Sequence, residues 1–228
     1  MNNRDDRGVE WSFWLFMLAF FIVWMLRATV LFRIDASIES EVVRTFYSNA
    51  VKLLLWVVPV FIYLICVDKT DPLHYLKLST RVDKLGLIAA SMVSAAYFAL
   101  IIVTSPLIGG RTIESLLMAQ PATVARTLGL VSISPLWEEI LFRGFVLHKL
   151  WSRARFWTAN LISSLMFTMA HWPYWIYSRM ALAGFARLSA SIFVLGLLFG
   201  YVFKRTHSLW PAVVVHIVNN FLSSFLNG

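Results

Sequence analysis

Residues 134–144 read Ser134-Pro135-Leu136-Trp137-Glu138-Glu139-Ile140-Leu141-Phe142-Arg143-Gly144, which sets two adjacent carboxylates and an arginine in a segment otherwise apolar enough to lie in a bilayer. A charge at bilayer depth costs about 2.5–3.5 kcal/mol even on the lenient insertion scale, so such residues face a bundle interior or a wet cavity and find partners there. After Glu114 the chain holds no Asp or Glu besides Glu138 and Glu139. Any acid–base chemistry done by carboxylates in this half falls to those two.

The 228 residues around this stretch are 59% hydrophobic and 14% charged, whereas about a quarter of residues are charged in soluble domains. The expected fold class is all-α, a polytopic transmembrane bundle of about seven to eight helices. One membrane-embedded domain over residues 1–228 accounts for the length and leaves no room for a separate soluble domain. The net charge of +8 is scattered between apolar segments rather than gathered in one patch, which speaks for topology signals and against a nucleic-acid partner. The single cysteine, Cys66, permits no intramolecular disulfide and reads as a small buried hydrophobe. The N-terminal apolar run is too long for a signal-peptide core and is expected to be a retained first span.

Seven stretches are expected to span, at about residues 11–32, 51–67, 85–108, 121–147, 156–176, 188–203 and 209–226. A helix within 177–187 would make eight. Arg27 is expected to snorkel to the nearer interface. Pro59 is tolerable inside the second span if neighbours satisfy the freed carbonyl. Ser91, Ser94, Ala95 and Ala96 give the third span a face suited to close helix contact. Gly109-Gly110-Arg111 ends that span, and residues 113–120 read as a short amphipathic turn. The distribution of Lys and Arg favours a cytoplasmic N-terminus, with Arg33, Arg44, Lys52, Arg111, Arg179 and Arg187 on the opposite side. The protein is thus expected to be an integral, multi-pass component of the inner membrane of a prokaryote.

Three of these spans carry polar side chains at compatible depths. Counted from the inner loops at about 1.5 Å per residue, Glu139, His171 and His216 lie about 16, 22 and 14 Å into a core about 30 Å thick. Glu139 and Arg143 are i,i+4 neighbours, as are Phe167 and His171, and His216 has Asn219 at i+3 and Asn220 at i+4. Glu138 points about 100° away from Glu139, so the two acids should have different jobs. Two close carboxylates in a low-dielectric site ionise cheaply only beside a cation, and Arg143 is expected to supply it. A carboxylate base with a histidine to share the proton is equipment for amide hydrolysis. His216 and Asn220 could donate to a developing oxyanion.

The pattern resembles the CAAX protease and bacteriocin-processing (CPBP, also Abi) family of glutamic intramembrane proteases, which includes type II CAAX prenyl endopeptidases. Its three marks appear in order: Glu138-Glu139-x-x-x-Arg143, Phe167-x-x-x-His171 and His216-x-x-x-Asn220. The flanks agree, with Phe142-Arg143-Gly144, Gly200-Tyr201 and Ser208-Leu209-Trp210-Pro211. The likeness covers residues 122–225 as a catalytic core; the first three spans match only as generic membrane helices. It implies that Glu138 with His171 activates the attacking water, that Glu139 and Arg143 support and orient the site, and that His216 with Asn220 stabilises the oxyanion. The implied enzyme is a metal-independent endopeptidase that works without a cofactor on a membrane-associated peptide or protein. A prenylated CAAX-type terminus, a leader and a sorting signal all fit as substrates.

Other readings remain open on the residues alone. Two Glu and two His could ligate zinc, but no His-Glu-x-x-His lies on one helix and Arg143 already engages one acid. A non-catalytic scaffold or bacteriocin self-immunity protein could bind a peptide in the same cavity. A transporter would also bury acids. Oligomeric state leaves no mark in the sequence.

Overall fold

The computed structural model describes residues 5–31, 34, 37–104 and 121–226. The expected chain turn at Gly109-Gly110-Arg111, the amphipathic turn at 113–120, and Arg33 lie outside the described residues. The architecture is an all-α membrane bundle. Four helical stretches are long and apolar enough to cross a bilayer: Trp11–Val30, Glu41–Cys66, Lys84–Thr104 and Leu182–Thr206. Their outward rows are apolar, as at Trp11, Leu18, Ile62, Leu85 and Leu182, which suits a lipid solvent that offers backbone groups no hydrogen bonds.

Helix α1 (Asp5–Leu26) runs into a π-helical turn, Arg27–Leu31. Arg27 does not snorkel; it is buried beside the Trp24 ring, 5.2 Å from its centre. Helix α2 (Glu41–Cys66) starts where the Ser40 hydroxyl accepts from the Val43 amide, the usual N-cap service. It widens over Leu53–Val57 into a second π-turn just before Pro59, with the Val58 amide bonded to the Leu53 carbonyl. Pro59 has no N–H and its ring crowds the preceding turn, and the wider turn carries the helix past it. Cys66, expected inside, is exposed at the end of α2.

A short helix α3 (Pro72–Tyr75), capped by Asp71, leads to α4 (Lys84–Thr104). The buried stripe of α4 is Gly86, Ala90 and Ser94, so of the expected small-residue face only Ser94 turns inward. Helix α5 (Pro121–Val131) stops at Ser132, and α6 occupies residues 133–151, with a π-helical middle at Ile140–Leu147. The expected single span 121–147 is thus two helices. Then come α7 (Phe156–Met169), α8 (Trp172–Tyr177), α9 (Leu182–Thr206) and α10 (Leu209–Leu226). Residues 182–187, part of the linker read from sequence, belong to the long helix α9.

Helix α6 is the axis of the bundle: every residue from Glu138 to Leu147 is buried. Phe145 packs against Phe13, Phe16 and Tyr63, and Phe142 against Phe20, Trp56 and Phe167. Helices α7 and α9 meet through small residues. A Cβ on Gly196 would come 2.9 Å from the Ser164 Cβ, and one on Gly200 1.9 Å from Asn160 Oδ1. That approach brings the Gly196 carbonyl within reach of α6.

Candidate active site

Glu139 is wholly buried, and its Oε1 accepts from Arg143 at 3.1 Å and from Nδ1 of His216 at 2.8 Å. Arg143 also donates to the Gly196 carbonyl at 3.2 Å and lies over the rings of Phe167 and Phe199, 4.3 and 5.1 Å from their centres. A guanidinium disperses its charge over a plane, so aromatic faces and a carbonyl can satisfy it without water. Oε2 of Glu139 has no hydrogen-bond partner among the described residues.

Glu138 points elsewhere, as the 100° step along the helix requires. Its Oε1 accepts from the Ser134 hydroxyl at 2.8 Å and from Lys52 at 2.5 Å, while its Oε2 faces Nε2 of His216 at 3.7 Å. Arg143, expected as the cation that lets the two acids coexist, serves Glu139, and Glu138 has a second cation of its own in Lys52. Lys52, read as a loop charge on the far side of the membrane, lies instead within α2 and reaches the site. The sequence reading missed it, and gave Ser134 no role although it stands one turn before Glu138. Lys52 left only one signal, a lysine at the start of an otherwise apolar run.

His171 stands in the turn after α7, as the N-cap of α8. Its Nδ1 lies 2.9 Å from the Phe167 carbonyl. A carbonyl can only accept, so Nδ1 carries the proton and the neutral ring keeps a lone pair on Nε2. Lys52 and His216 thus face Glu138 from α2 and α10. Phe167 stands between the two imidazoles, edge-on at 5.0 Å to His171 and 5.9 Å to His216. Phe199 stacks on His216 at 4.5 Å, a contact that sequence spacing did not suggest.

On α10, Asn219 is buried and donates to Oδ1 of Asn220 at 3.3 Å. The bond leaves the Asn220 amide nitrogen free of that contact and able to donate. Of the residues expected at the site, Glu138, Glu139, Arg143, His171 and His216 gather from α6, the turn between α7 and α8, and α10, and Asn220 lies one turn beyond His216. Among the described residues no three His, Cys, Asp or Glu side chains are arranged as metal ligands. Beside the same turn of α6, Leu136 and Ile140 join Leu73, Leu78, Ser79 and Trp210 around an apolar cavity of 310 Å³.

Paired acids, an arginine and two histidines thus meet at the axis of a multi-helix membrane bundle. Residues 119–222 match the family model described as Type II CAAX prenyl endopeptidase Rce1-like. Over this stretch the chain is similar to that family of membrane proteases. Comparison with curated proteins and with solved structures gives no match. Lys52 lies outside the matched residues.

Proposed function

We propose that the protein is a glutamic intramembrane endopeptidase that hydrolyses a peptide bond of a membrane-associated substrate. The observation that carries this reading is the division of labour between the adjacent acids. Glu139 is engaged by Arg143 and His216, whereas Glu138 keeps one oxygen open towards Nε2 of His216. Water attacks the scissile carbonyl as its proton passes to Oε2 of Glu138, with Nε2 of His171 as the neighbouring acceptor. The C–O bond forms, and the carbonyl oxygen becomes an oxyanion that the amide of Asn220 and the His216 imidazole stabilise. Collapse breaks the C–N bond, and the proton held by the Glu138–His171 pair passes to the leaving amine. No metal takes part.

The match to a model described as Type II CAAX prenyl endopeptidase Rce1-like makes a peptide with a lipidated cysteine near its C-terminus the first substrate to try. The test is cleavage of quenched peptides, with and without a lipidated cysteine, by detergent-purified wild type and Glu138→Ala, each with and without chelator. Chelator-resistant cleavage, lost in the variant and faster on lipidated peptides, is expected. Cleavage that survives in folded Glu138→Ala would sink the mechanism, and loss on chelation would return zinc to it. Binding of a peptide without cleavage would favour the scaffold reading.

A further inference from the structure

The three sequence motifs lie on α6, α7 and α10, yet the shortest polar contact to Glu138 comes from α2. Lys52 Nζ sits 2.5 Å from Glu138 Oε1 and 2.6 Å from Ser134 Oγ, and Ser134 Oγ is 2.8 Å from the same carboxylate oxygen. An ammonium only donates, so the hydroxyl accepts from Lys52 and passes its own hydrogen to Oε1. The three groups close a ring of hydrogen bonds. Both donors converge on one oxygen, and Oε2 is left facing His216.

A carboxylate gripped at one oxygen by two donors cannot rotate about its terminal bond without breaking both. We infer that Lys52 is a positioning residue: with Ser134 it anchors Oε1 of Glu138, so that Oε2 alone is presented to the attacking water. The inference rests on the reading of Glu138 as general base. Lys52 is itself held in place. Its ammonium lies 5.0 Å from the centre of the Trp56 ring, and that ring packs edge-on against Phe142 of α6 at 5.7 Å. The π-turn of α2 begins at the next residue, Leu53, and places Trp56 in this contact. The two cations are also not interchangeable. Arg143 is 1% exposed and committed to Glu139, whereas the Lys52 side chain is 18% exposed, at the wetter margin of the site.

Two measurements on the full-length protein in detergent test this. The first is kcat and KM on whichever quenched peptide the wild type cleaves. Lys52→Met should lower kcat about 100-fold, as small misplacements of a reacting group do, with KM within about threefold, the signature of an interaction used in the transition state. Lys52→Arg, which keeps the charge, should recover to within about tenfold of wild type. Ser134→Ala should lower kcat by about tenfold at unchanged KM. A lysine that merely braces the fold would lower the melting temperature and leave kcat per folded molecule intact, and that result overturns the inference. Should Lys52→Met fail to fold, an unchanged kcat in Ser134→Ala overturns it equally.

The second is a thermal double-mutant cycle of Lys52→Met with Glu138→Gln. The single losses should not add, because each variant strands the other's partner; additive losses overturn the anchor. An active wild type with an indifferent Lys52→Met sinks this inference alone. A wild type that cleaves no peptide while the cycle still shows coupling sinks the protease reading instead.

Discussion

Nδ1 of His216 lies 2.8 Å from Oε1 of Glu139, the oxygen that also receives Arg143. One carboxylate therefore ties α10 to α6 and holds the imidazole with Nε2 turned to Glu138. Glu139→Gln would leave Arg143 charged and 1% exposed without its counter-ion, and removing one partner of a buried pair costs about 3–5 kcal/mol. The melting temperature should fall by about 10 °C, and turnover should drop without vanishing, because Glu138 remains. A melting curve that does not move would show that the aromatic rings and the Gly196 carbonyl suffice for the guanidinium.

His171 offers a sharper separation of fold from chemistry. Its Nδ1–H is used on the Phe167 carbonyl, so Nε2 is the atom available to the reaction. In His171→Asn the shorter amide can still donate to that carbonyl, but nothing replaces the basic nitrogen. The variant should melt within a few degrees of wild type, while kcat falls about 10²–10⁴-fold, the usual yield of a positioned acid–base group. Near-normal turnover would remove His171 from the mechanism.

The charges inside apolar runs made the bundle and its axis legible in the sequence. Glu138, Glu139 and Arg143 had to face inward, and i,i+4 spacing correctly joined Glu139 to Arg143. What spacing cannot register is a partner on a helix distant in the chain. Lys52 and Glu138 are 86 residues apart, and nothing local distinguishes a lysine that ends a loop from one that enters a site. Helix breaks were passed over in the same way: Ser132 and Ala170 interrupt apolar stretches that hydropathy reads as continuous, although Pro135 and Pro173, in the first turns of the helices that follow, mark both places. Arg27 and Cys66 were each assigned by residue type, and the face of the helix on which they stand reversed both assignments.

The neighbouring asparagines of α10 are separable by their own hydrogen bond. Asn219 donates to Oδ1 of Asn220, which orients that amide so that its nitrogen can serve an oxyanion. Asn220→Asp exchanges a donor for an acceptor of the same shape, and kcat should fall about 10²–10³-fold with KM little changed. Asn219→Ala frees the amide to rotate and should cost less, about tenfold. If Asn219→Ala proves the more damaging of the two at equal stability, the donor is Asn219 and the assignment moves by one residue.

The last prediction concerns the frame that carries Phe199 and Gly196 to the site. A Cβ built on Gly86 of α4 would lie 1.5 Å from the Arg205 carbonyl oxygen of α9. The obstacle is backbone, so no rotamer change relieves it, and the two helices must part. The amide of Asp83 donates to the Thr206 carbonyl at 3.0 Å, and that of Gly86 to Asp83 Oδ2 at 3.1 Å, so the same shift strains both bonds. Gly86→Ala should gain about 1 kcal/mol in helix propensity but lose more to overpacking, typically about 1–3 kcal/mol and more where backbone is the obstacle. Gly129 of α5 is the control: a Cβ there meets nothing within 4 Å, and Gly129→Ala should leave the melting temperature unchanged or raise it. Thermal melts of the two variants side by side decide the matter, since equal behaviour would mean that α4 does not approach α9 as closely as described.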